Sequence, residues 1–316
     1  MTHIRANGIT LNYEEHGPKS APPLLIINGY SSQMTSWPND LHEAFVARGF
    51  HVVRFDNRDT GLSHKFEGIV PDVRDVMKAV AEGKQPDVPY VLNDMADDAA
   101  ALLEELGIKS AHVAGASMGG MIAQLVALRH PEKVRSLISI MSTTSDPSLP
   151  RSTPEAQEAL LARPPSEGKH DVVEHSIKSR RAYSSPAYPD DEEWLRGHIG
   201  KNYDRMYYPQ GAIRQYAAIM ASPPRTEMLK KLRTRTLVLH GEADTLIRPD
   251  GGRHTAECIP GAELKIVEGW GHNFPRPAIP MLVGIMADFI DKVERDRDDA
   301  FSKPVTPGCC GERAGQ

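Results

Sequence analysis

The sequence predicts an α/β fold: a mostly parallel sheet with helices on both faces and a helical insertion over one of its ends. Three observations point there. Runs that are apolar almost throughout recur between turn residues, as strands covered on both faces require. Helical patterns fall between those runs. The chain also opens differently, with Asn7-Gly8 between two alternating segments, a hairpin signal because both residues tolerate positive φ. Strand-helix alternation after an antiparallel start is the signature of a mixed, mainly parallel sheet.

Taken in order, the hairpin "HIRANGITLNYEE" is followed by the strand run "PLLIING" at 23–29 and a helical pattern at 38–48. "HVVRFD" at 51–56 precedes a stronger helix at 91–106, which Gly107 stops. "AHVAGA" at 111–116 leads into a helix at 118–130, and "RSLISIM" at 135–141 follows. The last strands are "TRTLVLHG" at 234–241 and "AELKIVEG" at 262–269, with a closing helix at 278–294. Residues 145–225 hold helical and Pro-rich pieces without a convincing strand, yet carry six of the nine tyrosines and Trp194. They read as an insertion over the sheet, either as further helical packing or as an aromatic-rich lid on a pocket. The expected organisation is a core of residues 1–144 and 226–296, a cap of 145–225, and a polar tail of 297–316 expected to be disordered.

Composition narrows the partners. A formal net charge of -5 over 316 residues gives no reason to expect nucleic acid or an anionic membrane surface. No apolar run approaches the roughly 20 residues that span a bilayer. The N-terminus lacks a signal-peptide layout. Three cysteines, Cys258 and the adjacent Cys309 and Cys310, form no framework, which fits a reducing, cytoplasmic setting. Metal or redox roles for the tail pair lack further ligands.

The chemistry gathers at "GASMG", residues 115–119, a G-x-S-x-G pattern between an apolar strand and a helix. Small residues at 115, 119 and 120 let strand and helix approach while Ser117 is held on a strained turn with its hydroxyl exposed. The helix start adds free N–H groups and a positive dipole end beside it. A serine hydroxyl needs a base, and the base needs an orienting acid. "LVLHGEADTLIRP" offers Asp244 just after a strand, and "LKIVEGWGHNFPRP" offers His272 after the last one, giving the order Ser117, Asp244, His272. His112 and His240 start or sit within strands and read as packed residues, and His130 reads as a helix-end cap. Asp146 competes with Asp244 as the acid, with Asp244 preferred. Glu242 and Asp250 are less suited by position.

Stabilising the oxyanion is usually the largest electrostatic contribution to such catalysis. The backbone N–H of Met118, directly after the nucleophile, is one expected donor. The N–H of Tyr30, in the Asn28-Gly29-Tyr30 loop after the strand at 23–29, is the other. "DNRDTGLS" could serve as a binding loop through Asp56, Arg58, Asp59 and Ser63, but its charges are expected instead to lock their own loop through internal pairs. Trp37 reads equally as a pocket wall or as plain packing.

Assembled in this way, the chain resembles the α/β-hydrolase superfamily over roughly residues 4–294. Within it the sequence is similar to bacterial esterases of the aclacinomycin methylesterase-like group. "INGYSSQMTSW", "RFDNRDTGLS", "GASMGGMIAQ", "LVLHGEADTLIRP" and "GWGHNFPRP" stand where that group has corresponding motifs. The resemblance implies a Ser117–Asp244–His272 triad, oxyanion N–H groups at Tyr30 and Met118, and a cap at about 145–225. The sequence departs at Asn28, where many relatives have His, and at Ala116, where many have a larger or polar residue. The function expected is a serine hydrolase, most simply a carboxylesterase, that needs no cofactor or metal. It would cleave small apolar or aromatic esters through an acyl-enzyme. Lactonase, C–C bond hydrolase, amidase or aminopeptidase, and cofactor-free perhydrolase chemistry can share the same triad. A non-catalytic small-molecule receptor is the reading from another class.

Overall fold

The computed structural model describes residues 2–302. The chain enters through β1 (Thr2–Ala6) and β2 (Ile9–His16), an antiparallel hairpin. Its turn residues Asn7 (φ 48°) and Gly8 (φ 77°) both take the left-handed conformation that a two-residue hairpin needs. Then follow β3 (Pro23–Ile27), α1 (Asn39–Ala47), β4 (His51–Phe55), α2 (Val73–Ala81), α3 (Leu92–Glu105), β5 (Ala111–Ala116), α4 (Met118–Arg129) and β6 (Val134–Ile140). Between β6 and the next strand lie α5 (Pro154–Leu161), α6 (Lys169–Arg180), α7 (Glu192–Arg205), α8 (Pro209–Ala221) and α9 (Thr226–Leu229). β7 (Thr236–Gly241), α10 (Pro249–Cys258), β8 (Glu263–Val267) and α11 (Ile279–Ser302) complete the fold.

The strands form one sheet in the order β1-β2-β4-β3-β5-β6-β7-β8. β2 pairs antiparallel with β1 and β4, and every pairing from β4 to β8 is parallel. The wholly buried β3 explains why its sequence is an unbroken apolar run. Leu24 and Ile26 face a layer containing Leu41 and Phe45 of α1 and Val283 and Met286 of α11. Leu25 and Ile27 face the opposite layer, with Leu102 of α3 and Ile122 of α4. Two helical layers thus each bury one face of the sheet. Each fully buried Leu or Ile there contributes about 1.5–3 kcal/mol of apolar burial.

Three helices have no counterpart in the sequence reading: α2, α10 and the single turn α9. α2 sets Val73, Val76, Met77 and Val80 at helical spacing but buries only Val76. α10 begins Pro-Asp-Gly-Gly, which reads as a turn. Its glycines instead make room for neighbours: a Cβ on Gly252 would lie 2.5 Å from Nδ1 of His240. The closing helix α11 continues to Ser302, past the 294 expected. The tail beyond it, with Cys309 and Cys310, lies outside the described residues. Among the described residues no helix is long and apolar enough to cross a membrane.

The inserted helices start on recognisable signals. Thr153 caps α5 by accepting from the N–H of Ala156, with Pro154 at the first position, and Asp191 caps α7 through the N–H of Trp194. They are tied to the core through the loop after β4, where the pairing differs from the internal pairs expected. Asp56 binds Arg205 of α7 (2.7 Å), and both oxygens of Asp59 accept from Arg214 of α8 (2.8 Å each). Arg58 pairs with Asp98 of α3. The loop's ion pairs therefore reach outward, to α3 and to the insertion, while Asp56 and Asp59 also hold their own loop by accepting from the N–H groups of Leu62 and Phe66 (2.9 Å each).

Candidate active site

β5 ends at Ala116 and α4 starts at Met118, leaving Ser117 alone at the corner with φ 58° and ψ -122°. A non-glycine residue in that region costs about 1–3 kcal/mol, so its surroundings must hold it. The Ser117 N–H donates to Ile140 O (2.9 Å), and its carbonyl accepts from Ser142 Oγ (2.9 Å) and from the N–H of Gly120 (2.9 Å). The neighbouring glycines permit the crossing. A Cβ on Gly115 would sit 2.0 Å from Gly119 O, and one on Gly119 would sit 2.1 Å from Ile27 O.

The loop after β3 leans on this corner. A Cβ on Gly29 would be 3.2 Å from Ala116 O and 3.3 Å from Ser117 Cβ, which brings the Tyr30 backbone alongside the serine. Among the described residues, neither the Tyr30 N–H nor the Met118 N–H has a protein acceptor. The Asn28 side chain is buried and donates to Gln33 O, so it braces the loop from within. The next residue along, Ser31, donates its N–H to Gln215 Oε1 of α8 (2.8 Å), giving the loop a second support.

His272, beyond β8, meets Asp244, beyond β7: its Nδ1–H donates to Asp244 Oδ2 at 2.6 Å. The other oxygen of Asp244 accepts from the N–H groups of Leu246 and Ile247, both at 2.9 Å. Burial alone would raise this carboxyl, but the His272 charge and the hydrogen bonds from His240 and His272 outweigh it and hold the pKa at about 2. Asp146, the competing acid, is occupied elsewhere, accepting from Ser148 and Thr226. His112 and His240 are fully buried, and His130 caps α4 and reaches Asp97 (2.7 Å). His240 does more than pack. Its Nε2–H donates to Ile247 O (2.8 Å) and lies 3.3 Å from Asp244 Oδ2, a contact that only the fold reveals.

Ser117 and His272 line one cavity of about 140 Å³. They are not hydrogen-bonded to each other. Such contacts are often long in unliganded enzymes and tighten only when substrate is bound. With Nδ1 engaged by Asp244, Nε2 of His272 is the nitrogen left for the cavity. Gly29, Tyr30 and Ala116 border the serine, and Trp37, Leu246 and Phe274 form much of the apolar wall. Trp37 is thus pocket wall and packing at once, its ring 4.6 Å from that of Phe274. From the insertion come Leu160, Arg180, Tyr183, Asp190, Trp194, Leu195 and His198. Of the insertion's six tyrosines only Tyr183 reaches the cavity. Tyr203 and Tyr207 stack on each other, and Tyr208 lies over Lys65 and Arg214. Among the described residues no group of three or more His, Cys, Asp or Glu side chains is arranged to hold a metal ion.

A family model described as the alpha/beta hydrolase fold matches residues 22–176. The chain is 27% identical over 297 residues to the rhodomycin D methylesterase DnrP of Streptomyces peucetius, covering 86% of this chain and 92% of that protein. Its identity to the rhodomycin D methylesterase DauP of Streptomyces sp. (strain C5) is 25% over 299 residues, with the same coverage. Among solved structures, the enol-lactonase from Burkholderia xenovorans LB400 superposes with a TM-score of 0.69 at 21% identity, over 92% of this chain and all of that one. The chain thus has the α/β-hydrolase fold and is similar over most of its length to two methylesterases.

Proposed function

We propose that the protein is a serine esterase that cleaves small carboxylic esters through an acyl-enzyme. The observation that carries this reading is the His272–Asp244 pair at 2.6 Å, opening on the cavity that Ser117 lines. In this mechanism an ester carbonyl sits against Ser117 with its oxygen toward the N–H groups of Tyr30 and Met118. Nε2 of His272 takes the Ser117 proton as Oγ attacks, and the ionised Asp244 stabilises the imidazolium that forms. Charge developing on the carbonyl oxygen is met by two N–H groups that have no other acceptor to give up. His272 then returns its proton to the departing alcohol, and a water activated by the same nitrogen releases the acid.

The apolar walls at Trp37, Leu246 and Phe274 support an apolar or aromatic ester. The two methylesterase relatives support a small alcohol such as methanol as the leaving group. The test is hydrolysis of p-nitrophenyl acetate and butyrate by the wild type and by Ser117→Ala. The variant is expected to lose roughly four orders of magnitude or more in kcat. Absence of wild-type turnover, together with failure of a fluorophosphonate to label Ser117, would overturn the reading.

A further inference from the structure

The inserted helices do more than roof the cavity. The turn between α6 and α7 runs against both loops that carry the proposed acid and base. His272 donates its backbone N–H to Tyr183 O at 2.7 Å. Two residues on, Ser185 is 2% exposed, and its hydroxyl sits between the neighbours of His272. Ser185 Oγ accepts from the N–H of Gly271 (2.9 Å) and donates to Asn273 Oδ1 (2.6 Å). The fit is close: a Cβ on Gly271 would lie 2.4 Å from Ser184 O. Ala187 donates its N–H to Gly269 O (3.1 Å), extending the contact along the same loop. On the acid side, Thr245, next to Asp244, donates its hydroxyl to Ala182 O at 2.7 Å.

We infer that Ser185 is a positioning residue for His272, and that the turn at 182–187 is the support that sets the imidazole against Asp244 and Ser117. The argument is geometric. His272 stands on a loop whose regular structure ended at Val267, so it has no ladder of its own to fix it. The three consecutive residues 271, 272 and 273 are each hydrogen-bonded to this one turn, and a single buried hydroxyl serves two of them. A base on an otherwise irregular loop needs such support, because a displacement of about 1 Å can cost orders of magnitude in rate.

The inference rests on reading His272 as the base, and the test separates the two. Ser185→Ala, Ser185→Thr and the wild type are compared by ester kinetics, by the rate of fluorophosphonate labelling of Ser117, and by the downfield proton resonance of His272 Nδ1–H. Ser185→Ala is expected to lower kcat and the labelling rate together by roughly tenfold, with KM within about twofold, and to broaden or shift the resonance. Ser185→Thr, which keeps the hydroxyl, is expected to restore most of the rate and the resonance. Should Ser185→Ala fail to fold, Ser185→Cys keeps an atom at the γ position while weakening both bonds, and is read in the same way. A folded variant with a lower Tm but unchanged kcat, labelling rate and resonance would overturn the inference, since it describes a turn that only stabilises. If the wild type neither hydrolyses esters nor labels, the esterase reading falls, and the resonance still reports whether Ser185 holds His272.

Discussion

His240 and His272 converge on a single atom, Oδ2 of Asp244, from 3.3 Å and 2.6 Å. Only His272 faces the cavity; His240 is fully buried beneath the carboxylate and shares its N–H with Ile247 O. Replacing His240 leaves Asp244 with His272 and two backbone donors. His240→Gln is therefore expected to lower kcat by only about three- to tenfold, while costing about 1–3 kcal/mol of stability from the disturbed buried hydrogen bonds. Steady-state kinetics and urea unfolding on the same preparation check both parts.

The acid assignment predicts an asymmetry between two aspartates. Asp244→Asn removes the ionised partner of His272 and is expected to reduce kcat by roughly 10³–10⁴. Asp146→Asn disturbs a local turn with Ser148 and Thr226, and its kcat is expected to stay within about twofold. Activity lost only on the change at 146 would reverse the assignment.

Glycine substitutions should divide by what a new Cβ meets. On Gly119 it would press on Ile27 O at 2.1 Å, so Gly119→Ala is expected to destabilise by about 3 kcal/mol or more, or to prevent folding. Gly197, within α7, has nothing within 4 Å of that position. Gly197→Ala is expected to stabilise by about 0.5–1 kcal/mol, because alanine restricts the unfolded chain and favours the helix. Thermal and urea unfolding of the two variants distinguish the cases.

His42 supplies a pH dependence away from the site. Burial, with Arg54 and His16 beside it, lowers its pKa from 6.5 to about 4. As pH falls below 6.5 the unfolded chain takes up this proton before the folded one, so stability declines until about pH 4. His42→Asn is expected to flatten that part of the profile, whatever its effect at neutral pH. Urea midpoints at pH 7, 5.5 and 4.5 measure the difference, and an unchanged slope would count against it.

The parts of this molecule legible in the sequence are those where one local pattern serves one purpose. β3 and β5 are wholly buried, so their residues had to be apolar throughout, and the strand runs stand out. The corner at Ser117 is legible because Gly115 is demanded by the backbone of Gly119 only four residues on, which leaves a short local pattern. Relationships between distant segments leave no such trace. Asp56 and Asp59 read as loop-locking charges because nothing near them in sequence points to Arg205 or Arg214, about 150 residues on. Ser185 is an ordinary serine in a polar turn until the fold sets it between Gly271 and Asn273. α10 was hidden by its paired glycines, which serve close packing and give no turn.

The attachment of the insertion bears on how such a pocket can be altered. Asp56 and Asp59 are completely buried, and their guanidinium partners, Arg205 and Arg214, come from α7 and α8. Exchanging residues 145–225 for a foreign segment would leave two interior carboxylates without their guanidinium partners, a loss of about 3–5 kcal/mol for each pair broken. It would also remove Gln215 from beneath Ser31. The segment is therefore not a replaceable module. New specificity is reached by changing side chains that face inward, such as Leu160, Trp194 and Leu195, on a backbone that stays where the core holds it.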